Sequence, residues 1–115
     1  MLTLRRIMMA LEGDLLTPGM DLETECSQFF ASDLMSDVLA FISPGSLLLT
    51  GLVNSHVIRT ARLVEVKAVV LVQGKRPEIQ VINEARECHV PIIATGCPMF
   101  EACSRVSHSS SENKR

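Results

Sequence analysis

The second half of the chain alternates short apolar runs with segments of helical periodicity, and this alternation constrains the fold most. The runs contain almost no polar residues and show no apolar–polar alternation. They are Leu47–Thr50, Lys67–Val72 and Val90–Thr95. Strands of this kind are buried on both faces, as in parallel sheets covered by helices. We therefore predict an α/β fold, a three-layer Rossmann-like sandwich with a mainly parallel sheet.

A helix signal follows each apolar run. The predicted helices cover residues 56–65, 77–88 and 98–105. Asn54 or Ser55 can cap the first of these helices, and Pro77 suits the first turn of the second. Strand–helix–strand units of this type make right-handed crossovers.

The first half of the chain predicts two further helices and two short strands. Thr3 can cap a helix that runs through Leu11 and ends at Gly13. The strands are expected at residues 14–17 and 25–30. The second helix begins at Ser32-Asp33, either of which can cap it. Its expected buried stripe consists of Leu34, Met35, Val38, Leu39 and Phe41.

Length, charge and hydropathy restrict the class of protein. The chain of 115 residues predicts one domain over residues 1–106, followed by a disordered polar tail at residues 107–115. A net charge of −2 gives no electrostatic support for nucleic-acid binding. The longest apolar runs are far shorter than the ~20 residues that a bilayer span requires. Four cysteines without an export signal favour a cytoplasmic protein with reduced thiols.

Glycine and polar residues occur together where each predicted parallel strand ends. The three strand ends are Thr50-Gly51, Gln73-Gly74-Lys75 and Thr95-Gly96-Cys97. The carboxyl ends of parallel strands line the ligand site of such sheets, and the following helix starts favour an anion. This pattern predicts one pocket for a carboxylate or a phosphate. The alternative is that each glycine only makes a tight turn between a strand and a helix.

The helix after the first strand end carries three more candidates. Asn54 lies at its start, and Arg59 could neutralise a phosphate or carboxylate. Arg59 could equally pair with an acid of another subunit or face solvent. His56 lacks an adjacent Ser or Cys nucleophile and gives little support for catalysis.

Two acids and one thiol complete the candidates. Asp33 and Asp37 are four residues apart and would share a helix face, where they could hold a cation or stabilise the helix dipole. Cys97 precedes a helix start, which can lower the pKa of a thiol. The cysteine spacing does not match a zinc site, so no metal is expected.

The ordered set of these segments resembles the DRTGG domain family over almost the whole chain. The segments that carry the resemblance are Ser32–Ala40, Leu49–Leu52, Arg59–Ala61, Gln73–Pro77, Ala94-Thr95 and Met99–Cys103. Asn54-Ser55-His56 stands near the position of the family's Asp-Arg-Thr, and Gln73-Gly74 at that of its Gly-Gly. The domain is similar to the amino-terminal domain of HPr kinase/phosphorylase and to the accessory domain of some phosphotransacetylases. It also occurs beside CBS domains.

The resemblance implies a non-catalytic regulatory or sensor module. We expect it to bind a small anionic ligand, nucleotide or phosphate-like, and to relay binding to an unidentified protein partner. The expected ligand-binding residues are Thr50, Gly51, Asn54, Arg59, Gly74, Lys75, Thr95 and Gly96, with Asp33, Asp37, His56 and Cys97 as secondary candidates. No tightly bound cofactor is expected, and no P-loop motif supports kinase chemistry.

Two other functions fit the residues. One is a homo-oligomeric assembly protein without a small ligand, whose interface would use its six methionines and residues such as Phe29 or Phe30. A homodimer is the expected oligomer because it is the commonest closed assembly. The other is a small thiol-dependent enzyme that would use Cys97.

Overall fold

The computed structural model describes residues 2–113, and its elements follow the predicted α/β order. The strands are β1 Leu2–Thr3, β2 Asp14–Leu15, β3 Glu25–Cys26, β4 Phe29–Ala31, β5 Leu47–Thr50, β6 Ala68–Leu71 and β7 Ile92–Ala94. The helices are α1 Leu4–Leu11, α2 Met35–Phe41, α3 Ser55–Leu63, α4 Ile79–Glu87 and α5 Met99–Asn113. No helix within residues 2–113 is long and apolar enough to cross a membrane.

Five strands form the main sheet in the order β2-β7-β6-β5-β4. The strands β4 to β7 are parallel and adjacent in chain order, and β2 is antiparallel at the β7 edge. The strands β1 and β3 form a separate antiparallel pair, in which Leu2 lies opposite Cys26. The predicted mainly parallel three-layer sandwich is confirmed.

The two faces of the sheet bury different cores. Along each central strand, alternate side chains point to opposite faces. Leu48 and Val69 pack with α2, α3 and α4, whereas Leu49 and Val70 pack with α1 and α5. The chain therefore changes face after β7. Helix α4 returns on one side of the sheet and α5 leaves on the other.

Helix α1 shows how local sequence sets an element boundary. The Thr3 side chain accepts a hydrogen bond from the backbone N–H of Arg6, as predicted for an N-cap. The helix runs through Leu11 as predicted, but Glu12 and not Gly13 takes the left-handed conformation that ends it, with φ 50°. Gly13 is needed for space instead. A Cβ there would lie 2.8 Å from Cγ2 of Ile93.

Helix α2 corrects the predicted buried stripe. Its buried stripe is reduced to Met35 and Val38, because the helix is only seven residues long and offers the sheet one narrow face. Leu34, Leu39 and Phe41 were expected in the core, but they are 57%, 47% and 71% exposed.

The predicted strand 25–30 is also wrong as a single element. It divides into β3 and β4 at Ser27-Gln28, because the first part pairs with β1 and the second with β5.

Helix α5 extends to Asn113, so residues 107–113 are helical and the prediction of a disordered tail there is wrong. Val106 packs in the core and anchors this part of the helix. Because a helix that has already formed gains one backbone hydrogen bond for each residue added, it continues beyond Val106. The His108 and Glu112 side chains are also in contact across the last turn. Residues 114–115 of the predicted tail lie outside the described residues.

Candidate functional site

The carboxyl ends of β4 and β5 are joined by the Asp33 side chain. Its Oδ1 accepts a hydrogen bond of 2.6 Å from the backbone N–H of Gly51 and one of 3.1 Å from Oγ1 of Thr50. Thr50 Oγ1 in turn accepts from the backbone N–H of Leu52 at 3.2 Å. Three predicted site residues are therefore brought together. Because an internal carboxylate already uses the Gly51 N–H, that group is not free for an anionic ligand.

Neither Asp33 nor Ser32 caps α2, contrary to both sequence alternatives. Leu34 occupies the N-cap position, where no side chain accepts a hydrogen bond from the helix. Ser32 Oγ instead accepts from the Leu34 N–H at 3.0 Å. Asp37 lies exposed in the first turn of α2, in a position to stabilise the helix dipole. Residues 2–113 contain no cluster of three or more His, Cys, Asp or Glu side chains that could hold a metal ion.

The carboxyl ends of β6 and β7 are tied to each other by backbone hydrogen bonds. Gln73 N–H donates to the Cys97 carbonyl at 2.8 Å, and Gly74 N–H donates to the Thr95 carbonyl at 2.9 Å. Both Gln73 and Gly74 are left-handed, with φ 66° and 69°. This conformation is easy for glycine and explains its place in the turn.

Thr95 is a buried link between β7 and α1. Its Oγ1 donates to the Leu11 carbonyl at 2.7 Å and accepts from the Cys97 N–H at 3.2 Å. The Cys97 thiol is also buried and lies 3.8 Å from the Leu11 carbonyl oxygen. Thr95 therefore acts in the fold rather than as a free ligand-binding hydroxyl, and Cys97 is not presented to solvent as a nucleophile.

A pocket of about 210 Å³ lies at the point where the chain changes face. We call it the switch-point pocket, and its lining residues are Glu12, Asp14, Gly74, Arg76, Ala94, Thr95 and Gly96. In open α/β sheets, ligands bind where successive strand-end loops diverge to opposite faces. A Cβ added at Gly74 or Gly96 would meet no atom within 4 Å, so both glycines face open space.

Arginine side chains paired with carboxylates supply the charge around this pocket. Arg76 contacts Asp14 at 2.6 Å, and both side chains are more than half exposed. A neighbouring pocket shares Glu12, Thr95 and Gly96. There Arg105 contacts Glu12 at 3.5 Å and donates to the Ala10 carbonyl at 3.1 Å. Lys75 lies exposed in the same loop as Arg76.

The candidates on α3 lie elsewhere. Asn54 is the N-cap, and its side chain accepts from the Val57 N–H at 3.3 Å. His56 and Arg59 are exposed on the helix surface and line none of the pockets described here. The structure thus gathers Gly74, Thr95 and Gly96 around one pocket and leaves the α3 residues apart.

Sequence reasoning missed the charged residues of the pocket. Arg76 directly follows the candidate Gly74-Lys75, but its partner Asp14 is 62 residues away in sequence. The two meet because β2 pairs antiparallel with β7. A short strand of two residues carries no pattern from which this pairing could be predicted.

The fold and the switch-point pocket define a small α/β module with a strand-end pocket at a change of face. The sequence matches the DRTGG domain family over residues 6–109, and the chain belongs to that family. No curated protein sequence matches it significantly.

Among solved structures, the chain is similar to the CBS and DRTGG domains of the regulatory region of Clostridium perfringens pyrophosphatase, complexed with the activator diadenosine tetraphosphate. The TM-score is 0.74 with 17% sequence identity. The match covers 93% of this chain and 46% of the other, so the chain spans less than half of that regulatory region. This likeness shows a shared fold.

Proposed function

We propose that this protein is a non-catalytic regulatory module that binds a small anionic ligand in the switch-point pocket and relays binding to a protein partner. The observation that carries the proposal is the geometry of that pocket. The pocket lies where the chain changes from one face of the sheet to the other. It combines two glycines that face open space with the guanidinium of Arg76. Membership of a family that occurs in the regulatory region of another protein supports a regulatory role.

The ligand chemistry follows from the exposed cations. A guanidinium binds phosphate or carboxylate oxygens through two parallel hydrogen bonds. Arg76 already donates one hydrogen bond of 2.6 Å from Nη2 to the Asp14 carboxylate, which marks the position that a ligand anion would take. Lys75, one residue earlier, can add a second positive charge. A ligand therefore competes with Asp14 for Arg76.

The pocket adjoins the segment that leads into α5, so a bound ligand can affect the position of this helix. Gly96 lines the pocket three residues before α5 begins at Met99. Arg105 on the same helix holds the end of α1. A ligand against Gly96 would thus contact the segment that positions α5 on the sheet, which gives the module a means of changing its surface.

The test measures ligand-induced stabilisation of the full chain. The probes are inorganic phosphate, AMP and diadenosine tetraphosphate, with the last chosen because the related regulatory region binds it. A probe at 100 times its Kd adds about 2.7 kcal/mol to the free energy of unfolding, which raises the Tm by several degrees. We expect at least one probe to do so.

Three variants locate the site. A Cβ at Gly96 meets no atom within 4 Å, so we expect Gly96→Leu to fill the pocket and abolish the shift while the free protein stays folded. Asp14→Asn should strengthen binding several-fold, since it frees Arg76. Arg76→Ala should weaken it, whereas Arg86→Ala, an exposed arginine in the last turn of α4, is the matched control. Absence of any shift, or a shift that Gly96→Leu does not alter, would contradict the proposal.

A further inference from the structure

The two edges of the main sheet differ in how they are protected. The β2 edge is two residues long, and Pro18 follows shortly after it. Asp14 in this strand carries the ion pair with Arg76. Short length, charge and proline are the features that prevent a sheet edge from pairing with another chain.

The β4 edge is three residues long and lacks the charge and the proline. Residues 26–32 contain no charged residue and no proline. On its inner side, β4 is bonded to β5, as shown by Ser32 N–H to the Leu49 carbonyl at 3.1 Å and Leu47 N–H to the Gln28 carbonyl at 2.9 Å. Because successive residues alternate, the backbone groups of Phe29 and Ala31 face away from β5. Within residues 2–113, β4 pairs with no other strand.

Apolar surface flanks this open edge on both faces of the sheet. Phe29 is half-buried against the core under α1 and α5, and Phe30 against the core under α2 and α3. A cleft of about 450 Å³ lies between β4 and the last turns of α5. Its walls include Phe29, Val106 and Ser110. Apolar surface beside an unpaired backbone is what a further strand would cover.

We propose that the β4 edge is the interface with a second copy of this chain, paired antiparallel about a two-fold axis at Phe30. In this register Phe29 of each copy lies opposite Ala31 of the other. These two pairs exchange four backbone hydrogen bonds, since both residues present outward N–H and C=O groups. The two Phe30 side chains meet at the axis in a non-hydrogen-bonded pair, where Cα atoms are only ~4.5 Å apart.

The charge pattern allows a second copy to pair at this edge and favours this register over a shift of one residue. A two-fold axis places like residues near one another, so a self-pairing strand must avoid facing like charges. The acids that flank the uncharged stretch are Glu25 and Asp33. In the proposed register, Asp33 lies opposite Ser27. Moving the axis to Phe29 would place Asp33 opposite Glu25, which like-charge repulsion disfavours.

The first experiment measures the mass of the full chain by sedimentation equilibrium across a range of concentrations. We expect a reversible dimer. Ala31→Lys introduces a charge at the edge and should shift the protein to monomer, with at least a tenfold rise in the dimer Kd. Ala40→Lys, at an exposed alanine of α2, is the matched control and should leave the dimer intact. A monomeric wild type, or a dimer that Ala31→Lys does not weaken, would overturn the proposal.

Two further variants test the register without relying on charge. Ala31→Pro removes an outward-facing N–H and fixes φ, which an edge strand tolerates, so it should dissociate the dimer while circular dichroism shows an unchanged fold. Phe30→Cys should form an intermolecular disulfide on mild oxidation, because the two positions face each other across the axis. Phe29→Cys should do so much more slowly, and equal rates would refute the register. These readouts do not involve the switch-point pocket, so this inference stands or falls separately from the proposed ligand.

Discussion

The Asp33 carboxylate accepts a 2.6 Å hydrogen bond from the backbone N–H of Gly51, across the ends of two neighbouring strands. A carboxylate that accepts from a backbone N–H makes a stronger bond than a neutral acceptor does. The same oxygen also holds Thr50 Oγ1 at 3.1 Å. This arrangement fixes the turn between β5 and α3 and fills the position where sequence analysis expected an external anion.

Replacing the Asp33 carboxylate should therefore destabilise the fold. We expect Asp33→Ala to lower the free energy of unfolding by about 1 kcal/mol. A fully buried hydrogen bond to a charged group would contribute more, but Asp33 is exposed and solvent weakens the interaction. Asp37→Ala is the control, because Asp37 lies in the first turn of α2 and is exposed. Urea denaturation of both variants gives the difference. Equal losses would show that helix charge rather than the Gly51 bond is responsible.

Thr95 should be sensitive to loss of its hydroxyl. Thr95→Val keeps the size of the side chain but leaves the Leu11 carbonyl and the Cys97 N–H without their partner. Burial makes this costly, at about 2 kcal/mol. Thr95→Ser keeps the hydroxyl and loses one methyl group, which should cost about 1 kcal/mol. A serine variant that is less stable than the valine variant would contradict this account of the residue.

Adding one methyl group should destabilise the fold at one glycine and leave stability unchanged at another. At Gly13, a Cβ would lie 2.8 Å from Cγ2 of Ile93 and 3.0 Å from the Ala94 carbonyl oxygen. Gly13→Ala should thus lower stability by about 1–3 kcal/mol. At Gly96 the Cβ meets nothing within 4 Å, so Gly96→Ala should change the Tm little. The Tm values of the two variants, measured by thermal unfolding, test this difference. Similar losses of stability in both variants would contradict the prediction.

The cysteines should differ in their rates of alkylation in the native protein. Cys26 and Cys97 are buried, whereas Cys88 is half-exposed. Burial also raises the pKa of the half-exposed Cys103, which lowers its thiolate fraction. Iodoacetamide at neutral pH should modify Cys88 first, as followed by mass spectrometry of peptides. Rapid modification of Cys97 would instead revive the thiol-enzyme alternative.

Stability should fall at alkaline pH because of Cys26. Burial raises the pKa of this thiol to about 11, while the charge of Lys67 acts in the opposite direction. The folded state thus favours the neutral thiol. This contribution is complete below the ordinary thiol pKa and is lost as the pH rises through about 11. Between pH 8 and 10.5, the gap in unfolding free energy between wild type and Cys26→Ala should narrow. A constant gap would argue against the raised pKa.

Local sequence determined the type and order of most elements. Uninterrupted apolar runs specified β5, β6 and β7, because only a strand covered on both faces buries such a run. Thr3 and Asn54 set the starts of their helices through bonds to residues three positions ahead. The family could likewise be inferred from the sequence, since its segments occur in order along the chain.

The tertiary structure decided which of the candidate residues meet. Asp33 and Gly51 are 18 residues apart, and Arg76 and Asp14 are 62 apart. Their contacts arise only when strands from distant parts of the chain align in the sheet. The unprotected β4 edge has the same origin, because strand order determines which strands lie at an edge. Sequence periodicity reports the side on which a residue is buried, whereas long-range pairing depends on the packing of the whole chain.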